Sequence, residues 1–141
     1  MKIKDLHGLF LNSRGVSTDT RSIKSGTIFF ALKGDSFNAN KFAIDALKLG
    51  ALFSVTDEIP EQENDKLILV KDVLKTLQQL ANFHRKFLDI PIIAITGSNG
   101  KTTSKELINS VLSQKFETFA TKGNLNNHIG VPLTLLEMNK N

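Results

Sequence analysis

Residues Ile92-Ile93-Ala94-Ile95-Thr96-Gly97-Ser98-Asn99-Gly100-Lys101-Thr102-Thr103 leave this chain few folds to choose from. A continuous apolar run rich in isoleucine reads as a strand buried on both faces of a parallel sheet, and here it breaks into glycine and then into a helical pattern. A strand, a glycine turn and a helix start gather several backbone N–H groups around one anion, so the segment reads as a phosphate cradle. Gly97 and Gly100 admit backbone angles closed to other residues and let the main chain approach phosphate oxygens without a Cβ in the way. Lys101 supplies a mobile positive charge for the β- and γ-phosphates, and Thr102 offers its hydroxyl to Mg²⁺. The helix that starts there adds its positive end. Thr96, Gly97, Ser98, Asn99, Gly100, Lys101, Thr102 and Thr103 are therefore the candidate cofactor loop for ATP or GTP with magnesium, with Lys101 and Thr102 carrying the chemistry. The general spacing G-x-x-x-x-G-K-[ST] would place a glycine where Ile95 stands, so the match is to a shorter variant.

The rest of the chain alternates helical and strand patterns, which predicts an α/β architecture. Ile3 to Leu11 reads as a helix with Ile3, Leu6, Leu9 and Phe10 on one face. Thr27 to Leu32 reads as a buried strand, Phe42 to Leu49 as a helix closed by Gly50, and Ala51 to Val55 and Leu67 to Val70 as further strands. Asp72 or Val73 to Leu88 is amphipathic, with Leu74, Leu77, Ala81 and Leu88 inward. Asp89-Ile90-Pro91 then reads as a joint, because proline disfavours helix in the residue before it. The expected units are residues 1–88 and 89–141. In the second, a strand is expected at Ile92 to Thr96, a helix from Lys101 to about Gln114, a strand at Phe116 to Thr121, and a helix with Pro132 in its first turn.

A P-loop sheet needs several parallel strands to cover both its faces, and the second unit supplies only two. Its carboxylates after Lys101 are Glu106, Glu117 and Glu137, each inside a helix or strand pattern rather than at a strand end suited to magnesium. The expectation is an N-terminal piece of a longer enzyme, or a piece completed by a partner. Composition narrows the class. The 141 residues are 40% hydrophobic and 23% charged, which suits a soluble globular chain, and no run approaches the roughly 20 apolar residues of a membrane span. Cysteine is absent and the first residues carry no secretory pattern, so the cytoplasm is expected, without membrane insertion. The net charge of +4 comes from 18 basic residues scattered among 14 acidic ones, and ten Phe without Tyr or Trp read as core filling, so no nucleic-acid partner is expected. His7 and His84 fall on helical patterns as packing or surface residues, and His128 has no base or metal partner.

Two further stretches sharpen the reading. Thr121-Lys122-Gly123-Asn124-Leu125-Asn126-Asn127-His128-Ile129-Gly130-Val131-Pro132-Leu133-Thr134-Leu135-Leu136, together with Thr96 to Glu106, closely resembles the Mur ligase family of peptidoglycan synthesis. Asp19-Thr20-Arg21, Gly26 and Phe29-Phe30-Ala31-Leu32-Lys33-Gly34 resemble the UDP-binding domain of the same family. Within it, the GNLNN-x-IGVPLTLL segment best matches the member that joins D-alanyl-D-alanine to UDP-N-acetylmuramoyl-tripeptide.

That resemblance implies a three-domain enzyme of which this chain holds a small N-terminal α/β UDP-binding domain and the beginning of the central P-loop ATPase domain. It implies ATP and Mg²⁺ as cofactors, Thr102 as a metal ligand, and a carboxylate phosphorylated by ATP and then attacked by an amine. The implied substrate contacts are Thr20 and Arg21, then Gly34, Asp35, Ser36 and Phe37 for the uridine end, and Asn124, Asn126 and Asn127 for the muramoyl-peptide or a water near the γ-phosphate. Many relatives carry Asp-Gly-His where this chain has Asn38-Ala39-Asn40. A monomer is expected. The alternatives are a non-catalytic nucleotide- or UDP-sugar-binding module and the sister ligase that adds the third stem-peptide residue.

Overall fold

The computed structural model describes residues 1–59, 62–123 and 125–139. Its frame is a four-stranded parallel sheet in the order β1-β2-β3-β4, formed by Val16–Ser17, Ile28–Phe30, Phe53–Thr56 and Leu67–Leu69. Val16 pairs with Ile28, Ile28 with Phe53, and Ser54 with Leu67, so the strands follow one another across the sheet. Parallel neighbours must be joined by crossovers, which is why turns and helices lie between them. Among the described residues, five α-helices accompany the sheet: α1 (Ile3–Leu11), α2 (Ala43–Lys48), α3 (Val73–Leu88), α4 (Lys101–Leu112) and α5 (Gly130–Leu136), with short 3-10 helices at Thr20–Ser22 and Ala39–Phe42.

Side-chain alternation along β2 divides the core in two. Ile28 and Phe30 join Val55, Ile68, Leu6, Phe10, Leu77, Leu80 and Leu136 in the larger cluster, which α1, α3 and α5 cover. Phe29 points the other way, into a smaller cluster with Ala31, Ala39, Ala46 and Ala51 beneath α2. All three β2 side chains are fully buried, as expected of the inner strand of a sheet covered on both faces. Helix α3 begins where the Asp72 side chain accepts a bond from Lys75 N at 2.8 Å, and it ends at Asp89 in the left-handed conformation. Its inward residues are Val73, Leu77, Leu80, Ala81, His84 and Leu88. Leu74, expected inward, is half-buried.

The parallel sheet and the mixed α/β architecture agree with the sequence. The two strands expected after residue 89 do not. Residues 92–96 and 116–121 form no strand, and Ile93, Phe116 and Phe119 are exposed. A strand is held by its neighbours' N–H and C=O groups, and among the described residues neither segment has a strand partner. Helix α5 follows a different rule: Leu136 enters the larger core cluster, with Ile129, Leu133 and Leu135 packed against it, which docks this late helix on α3.

Candidate phosphate loop and sheet-edge site

The residues expected to hold a uridine nucleotide gather on the loops that follow β1 and β2, at the carboxyl edge of the parallel sheet. That is where open α/β sheets present their ligands. After β1, the Asp19 carboxylate caps the short helix that carries Thr20 and Arg21, accepting from Arg21 N at 2.9 Å. The Arg21 guanidinium also grips it, at 3.0 Å from Nε and 2.7 Å from Nη2. These bonds hold the exposed Asp19 carboxyl down to about 2 and raise the Arg21 guanidinium further. Thr20 is half-buried and Arg21 projects into solvent.

After β2, a Lys33–Asn38 bridge and a Gly34 N to Phe37 O bond of 2.8 Å close a tight exposed turn around Asp35 and Ser36. Phe37 stacks on Phe42 with centroids 5.8 Å apart, which leaves an aromatic face at the rim. Below the turn lies a polar network that sequence reasoning missed. Glu58 accepts from Lys33 Nζ at 2.7 Å and from Asn38 Nδ2 at 2.9 Å, which lowers its carboxyl from the ordinary range. Asn40 donates to Asp57 Oδ1 at 2.8 Å and accepts from the Thr56 hydroxyl, while Asp57 Oδ2 takes the Val73 amide at 3.1 Å. The loops after β2 and β3 and the start of α3 are thus tied into one rigid edge.

The phosphate loop is built as its residue types require. Gly97 and Gly100 have φ of +152° and +76°, and Gly100 is the residue from which α4 starts. A Cβ at Gly100 would meet nothing within 4 Å, so the glycine is required by its backbone angle and not by crowding. Ser104 N makes the first bond of the helix, to Gly100 O at 2.9 Å. The amides of Lys101, Thr102 and Thr103 precede it in the first turn, where intrahelical partners are lacking. Lys101 Nζ lies 2.6 Å from Gly97 O and 3.3 Å from Ser98 O, curled over its own loop. Ser98, Asn99, Thr102 and Thr103 are exposed, as is Thr96 before the turn. Lys105 Nζ donates to Thr121 O at 2.6 Å and pairs with Glu106, joining α4 to the segment that leads into the asparagine loop.

Asn124 lies outside the described residues. Asn127 caps α5: its Oδ1 accepts from Ile129 N at 3.1 Å and Gly130 N at 2.7 Å. Asn126 and Asn127 border a groove of about 430 Å³ between α3 and α5, with Gln78 and Asn82 on its other wall. Gln78 Nε2 reaches His128 O at 3.1 Å and anchors the loop. Gly130 is forced by close approach, since a Cβ there would sit 2.8 Å from Leu125 Cα. The asparagine loop is thereby brought against the first unit. Among the described residues, no hydrogen bond or ion pair joins residues 96–103 to the sheet-edge loops or to Asn126 and Asn127.

Comparison with known proteins supports the mixed α/β fold with its parallel sheet. Residues 95–141 match the Mur ligase middle domain family. Over 129 residues the chain is 43% identical to the UDP-N-acetylmuramoyl-tripeptide–D-alanyl-D-alanine ligase of Bacillus subtilis, covering 90% of this chain and 28% of that protein. It is 48% identical over 125 residues to the ligase of the same name from a Synechocystis species, covering 87% and 28% respectively. The crystal structure of MurF ligase from Thermotoga maritima in complex with ADP superposes with a TM-score of 0.82 at 31% identity, over 91% of this chain and 29% of that one. The chain spans a little over a quarter of the length of the curated relatives it matches. The parallel sheet, the glycine-bounded loop ahead of α4 and the asparagine-capped α5 all fall within these likenesses, so the chain is similar to Mur ligases along nearly all of its length and matches their middle-domain family over residues 95–141.

Proposed function

We propose that this chain serves an ATP-dependent ligase that joins D-alanyl-D-alanine to UDP-N-acetylmuramoyl-tripeptide. Residues 1–88 hold the UDP end of the substrate and residues 89–141 begin the ATP-binding unit. The observation that carries the reading is the identity of 40–48% to ligases of that name across about nine-tenths of the chain. The ADP complex of the Thermotoga relative supports an adenine nucleotide at the loop. The cytoplasm, where nucleotide-linked precursors and ATP are both present, is the proposed location, and no helix among the described residues is long and apolar enough to cross a membrane. The protein acts as a monomer, without a nucleic-acid partner.

In this reading, the edge turn Gly34, Asp35, Ser36 and Phe37, with Thr20 and Arg21, receives the uridine nucleotide. Backbone groups and hydroxyls meet the uracil edge and diphosphate oxygens there, and the Arg21 guanidinium lies within reach of a phosphate. Asn124, Asn126 and Asn127 serve to contact the muramoyl-peptide or to order a water near the γ-phosphate. Lys101 exchanges the carbonyls of Gly97 and Ser98 for phosphate oxygens, and the amides of the loop and the first turn of α4 surround the β- and γ-phosphates. Attack by a carboxylate on phosphorus brings two anions together, so catalysis rests on the positive charge that Lys101 and these amides spread over the transferring group. Mg²⁺, held through the Thr102 hydroxyl together with phosphate oxygens and water, would supply charge neutralisation. One hydroxyl fits that role, and no cluster of metal-binding side chains is present among the described residues.

The test is a ligation assay on the full-length protein, with the product identified by mass spectrometry. Formation of UDP-N-acetylmuramoyl-pentapeptide that requires both ATP and D-alanyl-D-alanine is the expected result. Addition of a single amino acid to the dipeptide precursor would identify the sister ligase. Uridine-nucleotide binding without turnover under any substrate pair would identify a binding module.

A further inference from the structure

His7 on α1 and His84 on α3 are both buried, at 4% and 2% exposure. Nε2 of His7 lies 3.0 Å from Nδ1 of His84, and Nε2 of His84 lies 2.9 Å from the carbonyl oxygen of Met138, just beyond α5. Phe10, Phe83 and Phe87 close around the pair, with centroid distances of 4.9 Å from Phe10 to His84 and 4.8 and 4.9 Å from His7 to Phe83 and Phe87. A carbonyl only accepts, so His84 presents Nε2–H to Met138. In its neutral form its Nδ1 is then a bare acceptor, filled by Nε2–H of His7. One added proton on either ring leaves a bond between them but places a charge among phenylalanines. A second proton puts two N–H groups face to face at 3.0 Å and breaks the link.

We propose that the His7–His84–Met138 chain is a pH-sensitive latch, which holds α5 on the first unit at neutral pH and releases it on acidification. It ties α1, α3 and the end of α5, and α5 is the helix capped by Asn127 of the asparagine loop. The charged groups on those elements are exposed to solvent: Lys4 and Asp5 on α1, Lys75, Arg85 and Lys86 on α3, and Glu137 after α5, which pairs with Lys122. The titratable neighbour that acts on His7 is His84. Burial first, and His84 second, hold the His7 imidazole below its ordinary range. The sign follows: a folded state that resists protonation keeps its full stability above the unfolded histidine value, about 6.5, and loses it as pH falls below that.

The test is amide hydrogen exchange of α5 in this chain at pH 7.5 and 5.5, corrected for the intrinsic rate. Each proton that the closed latch excludes favours opening by about tenfold over that interval, so α5 protection falls by at least about tenfold. His7→Gln keeps an N–H for His84 Nδ1 but cannot be charged, and it reduces the fall to less than about threefold. Imidazole ¹⁵N shifts of the unaltered chain at pH 7.5 give a readout independent of that variant, with both rings protonated at Nε2. Equal protection at the two pH values, a proton on Nδ1 of His84 at pH 7.5, or an undiminished fall in a folded His7→Gln protein would overturn the latch. If His7→Gln does not fold, the exchange and ¹⁵N results of the unaltered chain decide alone.

Discussion

Single side chains at the site are held by local geometry more than by long-range packing. Asp19 and Arg21 are two residues apart and both reach solvent, yet the carboxylate takes a backbone amide and a guanidinium together, which fixes the turn after β1. The Asp19 carboxyl is expected to titrate at about 2 by ¹³C NMR, and Arg21→Ala to return it towards its ordinary 3.8. Because the folded value is the lower one, this interaction supports the fold above the unfolded value of 3.8 and is lost as pH falls through about 2. A midpoint near 3.8 in the unaltered chain would remove Arg21 from this role. At this scale the sequence was readable where a residue acts through its own backbone, as with Gly100 at its positive φ. It was unreadable where side chains meet across the fold. Nothing in the spacing of Asn38, Asn40, Thr56, Asp57 and Glu58 announced that they converge under the edge turn.

Helices α3 and α4 both carry leucine and valine side chains and have different surroundings. Leu77 on α3 is fully buried against the sheet, whereas Leu107 on α4 is 64% exposed beside Ile93 and Val111. Leu77→Ala is expected to cost about 2–5 kcal/mol in urea unfolding, and Leu107→Ala in the same chain less than about 0.5 kcal/mol. Comparable losses would mean that α4 is packed in solution. The contrast also explains which elements could be read in advance. Helix α1, the strands β2 to β4 and helix α3 were legible because each supplies a partner for the next. The segments 92–96 and 116–121 have the composition of strands, but a strand exists only when a neighbour takes its hydrogen bonds, and their apolar side chains remain outside.

At the scale of the molecule, the parallel sheet with α1 to α3 supplies most of the core, and α5 adds Leu136 to its larger cluster. Residues 1–88 alone are expected to unfold cooperatively by circular dichroism, at a lower Tm than the whole chain. The loss reflects the contact of Leu136 with the larger cluster, a buried leucine contributing about 1.5–3 kcal/mol. Absence of a cooperative transition would show that α5 is part of the fold's minimum. The glycine turn ahead of α4 and the family resemblance were legible in the sequence because consecutive residues carry them, whereas the seat of the asparagine loop against Gln78 and Asn82 is a tertiary fact. The proposed activity rests most heavily on the loop from Thr96 to Thr103 cradling a polyphosphate through its amides and Lys101. The direct measurement is Lys101→Ala in the full-length protein, read as turnover and as affinity for the UDP-linked substrate. The account predicts a loss of turnover of about 10²–10³-fold or more with that affinity unchanged within about twofold, since the uridine edge lies elsewhere. Turnover equal to that of the unaltered protein would contradict it.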